Sequence, residues 1–298
     1  MRSLLIAQAI IKCFLKCNML LSVIIPTWNR AHLVCDAINS ALNQRPGEVE
    51  VIVVDDASTD NTAHMLADTY AEGIRVLRRE RRGGSGAARN AGVALARGEF
   101  VGFLDSDDLW LPGKFEAELR VFEQFSEAEA VFSDGQNFFE RVPDGPSRFV
   151  QNGLLEATRG QISWANQCNW LWTNSANSVQ TCSVTVRREA LARIGPKLFA
   201  EDLDCCEDWE FQMRVCHLCR VIVLPKILAH VRRFEDDSRS GRGIPGRTKT
   251  RDQELMLLRD RLTVMKRATW LKDLELPLAN ELDRFRTETA KKLSELHG

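Results

Sequence analysis

No charge of either sign dominates this chain. Across 298 residues, 40 Lys and Arg stand against 41 Asp and Glu, a net charge of −1. Nucleic-acid-binding domains usually carry a clear basic surplus, so composition argues against that partner. Also missing is a long apolar run free of charge. The apolar stretch at the start, M-R-S-L-L-I-A-Q-A-I-I-K-C-F-L-K-C-N-M-L-L, holds Lys12 and Lys16 near its centre. Each would cost about 2.5–3.5 kcal/mol at mid-membrane. The segment has no A-x-A cleavage site either, so it reads neither as a spanning helix nor as a signal peptide. No G-K-[ST] occurs anywhere, and G-S-G-A-A-R (84–89) is not G-x-G-x-x-G. P-loop and dinucleotide readings therefore lack their residues.

Cysteine is not scarce, but its nine positions are odd in number and scattered. That pattern suits reduced thiols in a cytosolic setting better than a secreted disulfide framework. C-H-L-C (216–219) has the spacing of a zinc half-site, yet the segment reads as helical and as two small apolar side chains of a buried helix. In the first segment, Gln8, Lys12 and Lys16 share a helical face opposite Leu4, Ile11 and Leu15. This would suit an amphipathic helix at the inner face of a membrane. The simpler reading makes residues 1–18 dispensable, because Met19 directly precedes the first strand.

From Leu20 onward, short β-rich runs alternate with helical periods. Strands are expected at 20–26, 49–56, 74–77 and 100–104. Helices are expected after residue 33, near 62–70, and from the Gly-rich turn at 83–86 through Ala96. Apolar strands separated by helices imply βαβ crossovers and a mainly parallel sheet, with ligands at the carboxyl ends of the strands. Two of those ends are acidic: Asp55 and Asp56 close the second strand, and Asp105, Asp107 and Asp108 follow the fourth. Clustered carboxylates repel one another unless a cation offsets them, so a metal-bound phosphorylated ligand is the reading that explains both.

The second half is less regular. Residues 143–180, with Trp164, Trp170 and Trp172, show no clear periodicity. A strand is expected at 182–186, a helix at 187–195 ending on Gly195, a helix from Glu207, and strands at 220–225 and 227–231. Residues 241–249 read as a basic linker. Residues 250–298 read as two amphipathic helices broken at Pro277, which could cover the domain, pair with another copy or lie on a membrane. The expected division is an N-terminal extension (1–18), a main domain (19–240), and a linker with C-terminal helices (241–298).

Taken together, S-V-I-I-P-T-W-N-R (22–30), V-V-D-D-A-S-T-D (53–60), G-G-S-G-A-A-R-N-A-G (83–92), F-L-D-S-D-D (103–108) and E-D-W-E (207–210) resemble the inverting glycosyltransferases of family 2. One D-x-D is a weak signal; five motifs in order over residues 20–240 are a strong one. The resemblance implies a GT-A fold, α/β and Rossmann-like, with a mixed but mainly parallel sheet flanked by helices. It also implies a nucleotide-sugar donor, most simply a UDP-sugar, and Mn²⁺ or Mg²⁺ as cofactor. The acceptor would be the hydroxyl of a saccharide, a lipid-linked saccharide or another molecule, as in polysaccharide biosynthesis.

Carried over residue by residue, the resemblance places Asp107 on the metal and Asp105 beside the ribose or a metal-bound water. Ser106 lies between them, and Asp108 would cap the next helix. Pro26, Thr27, Trp28 and Asn29 would lie against the nucleobase, with Trp28 stacking on it or merely covering the sheet end. Asp55 would accept a hydrogen bond from the base, while Asp56 and Ser58 form a turn. Arg89 and Asn90 would flank the donor from a helix whose start at Gly84 to Gly86 presents N–H groups. Asp208 would be the general base, with Glu207 and Trp209 on the acceptor side and Glu210 as a favourable acidic first turn. Family members often carry a late His that helps hold metal or diphosphate. Here the segment is R-R-F-E-D-D-S-R-S (232–240), with Phe234 at that place, which leaves Arg233 or Ser238 to contact the diphosphate. His230, four positions earlier, would point elsewhere. The competing classes are a nucleotidyltransferase and an inactive nucleotide-binding module.

Overall fold

The computed structural model describes residues 20–70, 73–165, 179–234, 251–267 and 276–297. The expectations for residues 1–18, the linker 241–249, Ser238, Trp170 and Trp172 lie outside these residues. The chain opens with β1 (Leu21–Thr27), every residue of which is buried. Helix α1 (Val34–Leu42) buries Val34, Ala37, Ile38 and Ala41, the face its apolar spacing predicts. Then come β2 (Val49–Asp55), α2 (Thr62–Tyr70), β3 (Arg75–Arg78), α3 (Gly84–Val93), β4 (Phe100–Phe103) and β5 (Leu109–Trp110). After these run α4 (Lys114–Gln124), β6 (Ala130–Phe139), β7 (Val142–Pro143), the short helices α5 (Arg148–Gln151) and α6 (Leu154–Ala157), and β8 (Ser163–Trp164). A 3₁₀ turn (Thr181–Ser183) leads into β9 (Val184–Arg187), α7 (Arg188–Ile194), α8 (Glu207–Leu218), β10 (Val221–Arg232), α9 (Arg251–Arg267) and α10 (Leu276–His297).

The strands form one sheet in the order β3-β2-β1-β4-β9-β6-β10-β5, with β7 beside β6 and β8 beside β10. Neighbours β3, β2, β1 and β4 pair in parallel, as do β6 and β10, while β9 runs antiparallel between β4 and β6. The sheet is therefore mixed and mainly parallel, with helices on its faces. The expected strands 220–225 and 227–231 are one strand, β10, whose register against β6 slips between Leu224 and Ala229. Pro225 sits in that irregularity, where its missing N–H removes a ladder bond and a bulge absorbs the loss.

Strand order fixes where a ligand can enter. The chain steps from β1 outward to β2 and β3, then returns to the other side of β1 as β4. Such a reversal leaves a crevice at the carboxyl ends of the two strands between which the order turns. Pairing of β1 with β4 stops at Ile24 and Phe103. Pro26 therefore loses no ladder bond on that side, and the strand ends are free to splay around a ligand.

Helix α9 is not a loose appendage. Its Leu262, Val264 and Met265 join the apolar cluster that contains Trp209, Phe211 and Met213 of α8. Of the three placements open in the sequence, this helix takes the one that covers the domain.

Candidate active site

The crevice is a cavity of about 610 Å³ bounded by the ends of β1 and β4, the starts of α3 and α8, the end of β10 and one side of α9. That volume suits a ligand of nucleotide-sugar size. Pro26, Thr27, Trp28, Arg89, Asp105, Ser106, Asp107, Glu207, Asp208 and Trp209 all line it. Residues far apart in the chain thus meet on one wall, with the acids of the D-x-D and those of the E-D motif facing the same space.

Arg89 joins the two acidic sets. Arg89 is 3% exposed, and its guanidinium donates from Nη2 to Asp105 at 2.6 Å and from Nη1 to Glu207 at 3.0 Å. Burial opposes its charge, but Asp105 and Glu207 outweigh burial and hold its pKa above the ordinary value. Glu207 also accepts from Ser85 Oγ at 2.6 Å. Burial and the neighbouring Asp208 push the Glu207 carboxyl up, against the pull of Arg89. Gly86 makes this contact feasible: a Cβ there would come within 2.8 Å of the Ala200 carbonyl and 3.4 Å of Glu207 Cγ. Asp208, one residue on, lines the cavity at the first turn of α8, held by the left-handed Cys206 that starts the helix.

The D-x-D is held by arginines. Asp107 lies 3.7 Å from Arg30, whose guanidinium also stands 5.6 Å from the centre of the Phe234 ring. Arg30, Asp107 and Phe234 therefore form one group where the family pattern would put a histidine. His230 points elsewhere, its ring against Phe138 at 5.6 Å, with burial lowering its pKa. Arg232 donates from Nε to the Asp107 carbonyl at 2.8 Å and from its backbone N–H to Asp108 at 2.9 Å. Asp108 consequently does not cap a helix. It ties the D-x-D turn to β10, and the next element is the short β5. Burial, and then Asp107 and Asp105, push its carboxyl well above the usual carboxylate range. Three carboxyls crowded at one turn suit a divalent cation. Among the described residues no group of three or more His, Cys, Asp or Glu is arranged to hold an ion by itself. One or two carboxylates completed by diphosphate oxygens is the arrangement that fits.

Other residues have local tasks. Asp56 accepts from the N–H groups of Gly83 at 3.0 Å and Gly84 at 2.7 Å and pairs with Arg79. It thus occupies part of the α3 start that the sequence reading left open for a ligand, and is more than a turn-former. Asn29, in a left-handed conformation, accepts from Thr59 N–H at 2.8 Å and organises the 57–60 loop. Asn90 clamps the backbone of Phe199, donating to its carbonyl and accepting from its N–H, each at 2.9 Å. Neither Asn29 nor Asn90 is among the residues lining the cavity. Trp28 does line it, with the Arg82 guanidinium 3.7 Å from its ring centre. Asp55 is fully buried behind the wall. Its Oδ1 accepts from Ser58 N–H at 2.9 Å; Oδ2 makes no hydrogen bond but stands 3.6 Å from Arg78 Nε as an ion pair, and Thr27 Oγ1 has no hydrogen-bond partner.

Sequence reasoning missed the part played by α9. Met256, Leu257 and Arg261 line the cavity. Asp260, 2% exposed, accepts the backbone N–H groups of Asp204 and Cys205 at 2.9 and 3.0 Å. The turn leading into the E-D motif is thus fastened from a helix more than fifty residues later. No local motif marks Asp260; only an acid in the middle of an otherwise apolar helix face hinted at it.

The Glycosyl transferase family 2 profile matches residues 22–192, more than half of the chain. The chain belongs to glycosyl transferase family 2. Curated relatives of the family include an uncharacterised glycosyltransferase of Nostoc sp., 39% identical over 181 residues, covering 60% of this chain and 54% of that protein. Another is the Escherichia coli UDP-Glc:alpha-D-GlcNAc-diphosphoundecaprenol beta-1,3-glucosyltransferase, 37% identical over 102 residues, covering 34% of this chain and 40% of the relative. Of the first curated relatives, this chain spans between 31% and 54% of the length. Among solved structures, Staphylococcus aureus TarS with UDP-GlcNAc matches with a TM-score of 0.61 and 23% identity, over 93% of this chain and 71% of that one. The Pyrobaculum calidifontis mannosyltransferase in complex with GDP-Man and Mn²⁺ matches with a TM-score of 0.62 and 19% identity, over 93% and 72%. The family's GT-A fold is therefore the fold of this chain. No helix among the described residues is long and apolar enough to cross a membrane.

Proposed function

We propose that this family 2 chain is an inverting glycosyltransferase that moves a sugar from a nucleotide-sugar donor to a hydroxyl of a saccharide or lipid-linked saccharide. One observation carries the reading: the D-x-D and E-D carboxylates line the same cavity, joined through the buried Arg89. In this reading Trp28 stacks on the nucleobase once Arg82 gives way. Asp55, whose Oδ2 makes no hydrogen bond and only an ion pair with Arg78 at 3.6 Å, would accept from a ring N–H, which favours uracil or a related base. Asp107, with Asp105, would hold a divalent cation, Mn²⁺ or Mg²⁺, which offsets charge on the departing diphosphate. Arg30, Arg232 and Arg233 add fixed positive charge on that side, in place of the family's late histidine.

Asp208 takes the proton from the acceptor hydroxyl as its oxygen attacks the anomeric carbon from the face opposite the diphosphate. Glu207, engaged with Arg89 and Ser85, holds the start of α8 in place instead of moving a proton. The named nucleotides of similar proteins, UDP-Glc, UDP-GlcNAc and GDP-Man, support a nucleotide-sugar donor without choosing among sugars.

Incubating the protein with UDP-glucose, UDP-N-acetylglucosamine and GDP-mannose plus Mn²⁺ tests the reading. Free nucleoside diphosphate is the expected product. Pyrophosphate chemistry would indicate a nucleotidyltransferase instead, and nucleotide binding without turnover an inactive binding module.

A further inference from the structure

Among the described residues, the arginines of the cavity are engaged, with one exception. Arg30 pairs with Asp107 at 3.7 Å, Arg82 lies over the Trp28 ring, and Arg89 bridges Asp105 and Glu207. Arg232 donates to the Asp107 carbonyl and Arg233 to Asn137 Oδ1, each at 2.8 Å. Arg261 of α9 lines the same cavity, yet it makes no hydrogen bond, ion pair or ring contact. It is half-buried, and its nitrogens are not sealed from solvent. The acids around this part of α9 are already taken. Asp204 pairs with Arg259 at 2.7 Å. Asp260 accepts the Asp204 and Cys205 N–H groups and stands 3.3 Å from Arg259 Nε. Glu207 is engaged by Arg89 and Ser85. The helix also sets where Arg261 stands. Its neighbour Asp260 is fastened to the turn that leads into the E-D motif. Leu257 and Arg261, four positions apart, share one face of α9, and both line the cavity beside Met256. Arg261 therefore belongs with the E-D side of the cavity, whereas Arg30 and Arg232 are anchored to Asp107.

We propose that Arg261 is an acceptor-recognition residue, its guanidinium pairing with a phosphate or carboxylate carried by the acceptor. This rests on the nucleotide-sugar reading of the same cavity and adds a negative charge to the acceptor class. The chemistry selects the ligand. A guanidinium presents five N–H donors in a planar fork, which fits the oxygens of a phosphate or carboxylate two at a time. A neutral hydroxyl would leave its charge uncompensated. Met256 and Leu257 beside it are apolar and half-buried. They limit water at the guanidinium, so pairing with an anion is worth more there than on an open surface. The donor diphosphate is not the expected partner, because the cation and the arginines at Asp107 meet its charge. The anion has two sources: a phosphate that links the acceptor sugar to a carrier, or the carboxylate of a uronic acid. The test separates these.

The donor site is first filled with UDP and Mn²⁺, and three probes are then titrated by calorimetry: glucose 1-phosphate, methyl glucuronide and methyl glucoside. At least one charged probe should bind about 10–100-fold tighter than methyl glucoside, the range of one charged hydrogen-bonded pair. Arg261→Gln should abolish that difference, and Arg261→Lys should keep part of it. Preference for glucose 1-phosphate assigns a phosphate-linked acceptor, and preference for methyl glucuronide a uronic acid. The affinity of Arg261→Gln for UDP with Mn²⁺, and its melting temperature, should match wild type, since the guanidinium holds no protein group. Equal binding of charged and uncharged probes, or no binding of any, sinks the proposal while the nucleotide-sugar reading stands. So does a charge preference that survives in Arg261→Gln. A fall in UDP affinity in that variant would move Arg261 to the donor side, and a melting temperature lower by several degrees would make it a structural residue. Either result overturns the proposal. Wild-type protein that does not bind UDP would remove both readings.

Discussion

The half of the molecule up to Asp108 and the half after it build their shares of the cavity differently. In the first half, each strand end carries its polar residues within a few positions, so the motif stands together in the sequence even where its contacts reach further. Asp55 receives the N–H of Ser58, three residues on, and Asn29 gathers the 57–60 loop. In the second half, the key turn is held from a distance. Glu207 is fixed by Arg89, 118 residues earlier. The 204–205 backbone is fixed by Asp260, 55 and 56 residues later. The contrast is that the donor-side residues cluster in short motifs, while the turn bearing the proposed base is braced from elements far away in the chain. Substitutions should therefore separate binding from turnover according to the side of the cavity they touch.

The largest effect is expected at the proposed base. Asp208→Asn should cut turnover by about 10²–10⁴-fold, the usual range for a general base, as read from nucleoside diphosphate release. Near wild-type turnover would reduce this carboxylate to a favourable acid at a helix start.

Asp107→Asn should show the opposite pattern. Mn²⁺-dependent UDP affinity should fall by about 10–100-fold, the loss typical of damage around a metal-binding site, with folding intact by circular dichroism. Calorimetry showing unchanged affinity would remove Asp107 from the cation-binding role.

Asp260→Asn sharpens the comparison, because it alters the brace and not the cavity's reacting groups. A slightly displaced base is costly, so kcat should fall about tenfold while UDP affinity and donor KM stay near wild type. Equal loss of affinity would mean that α9 supports the whole cavity and not the base-bearing turn alone.

The smallest effect on function is expected far from the cavity, at Glu50. This buried carboxylate accepts from Ser22 Oγ at 2.6 Å and from Arg97 N–H at 2.7 Å. Burial would push its pKa up, but bonds from Ser22 and from the backbone and side chain of Arg97 outweigh burial and hold it below the ordinary 4.5. A lowered carboxyl pKa gives stability that is complete above about pH 4.5 and is lost as pH falls through the folded value. Glu50→Gln should therefore cost about 1–3 kcal/mol at pH 7 in urea unfolding. The difference from wild type should shrink as the pH drops below 4.5. Turnover at pH 7 should not change.

The same contrast explains what could be read from the sequence. Strands β1, β2 and β4 were legible because both faces are buried and their apolar runs are nearly continuous. Helix α1 was legible because its apolar spacing is regular. The D-x-D and E-D acids stood out because clustered charge at element ends needs a reason. By contrast, β6 carries Ser133, Asp134 and Gly135 in mid-strand, and α4 buries the ion pair of Lys114 and Glu118. These polar residues hide the apolar period. The tasks of Asp56, Asp108, Asn90 and Asp260 could not be read at all, because each is defined by a partner that the chain meets only after folding.

The central claim is that donor binding and acceptor activation rest on separate residues, the D-x-D side for the donor and Asp208 for the acceptor. Its most direct test is the affinity of Asp208→Asn protein for UDP, with and without Mn²⁺, measured on a preparation whose turnover is already lost. The account predicts wild-type affinity and wild-type dependence on the cation. Affinity that falls together with turnover would contradict it, since Asp208 would then belong to the donor site and the division of labour would not hold.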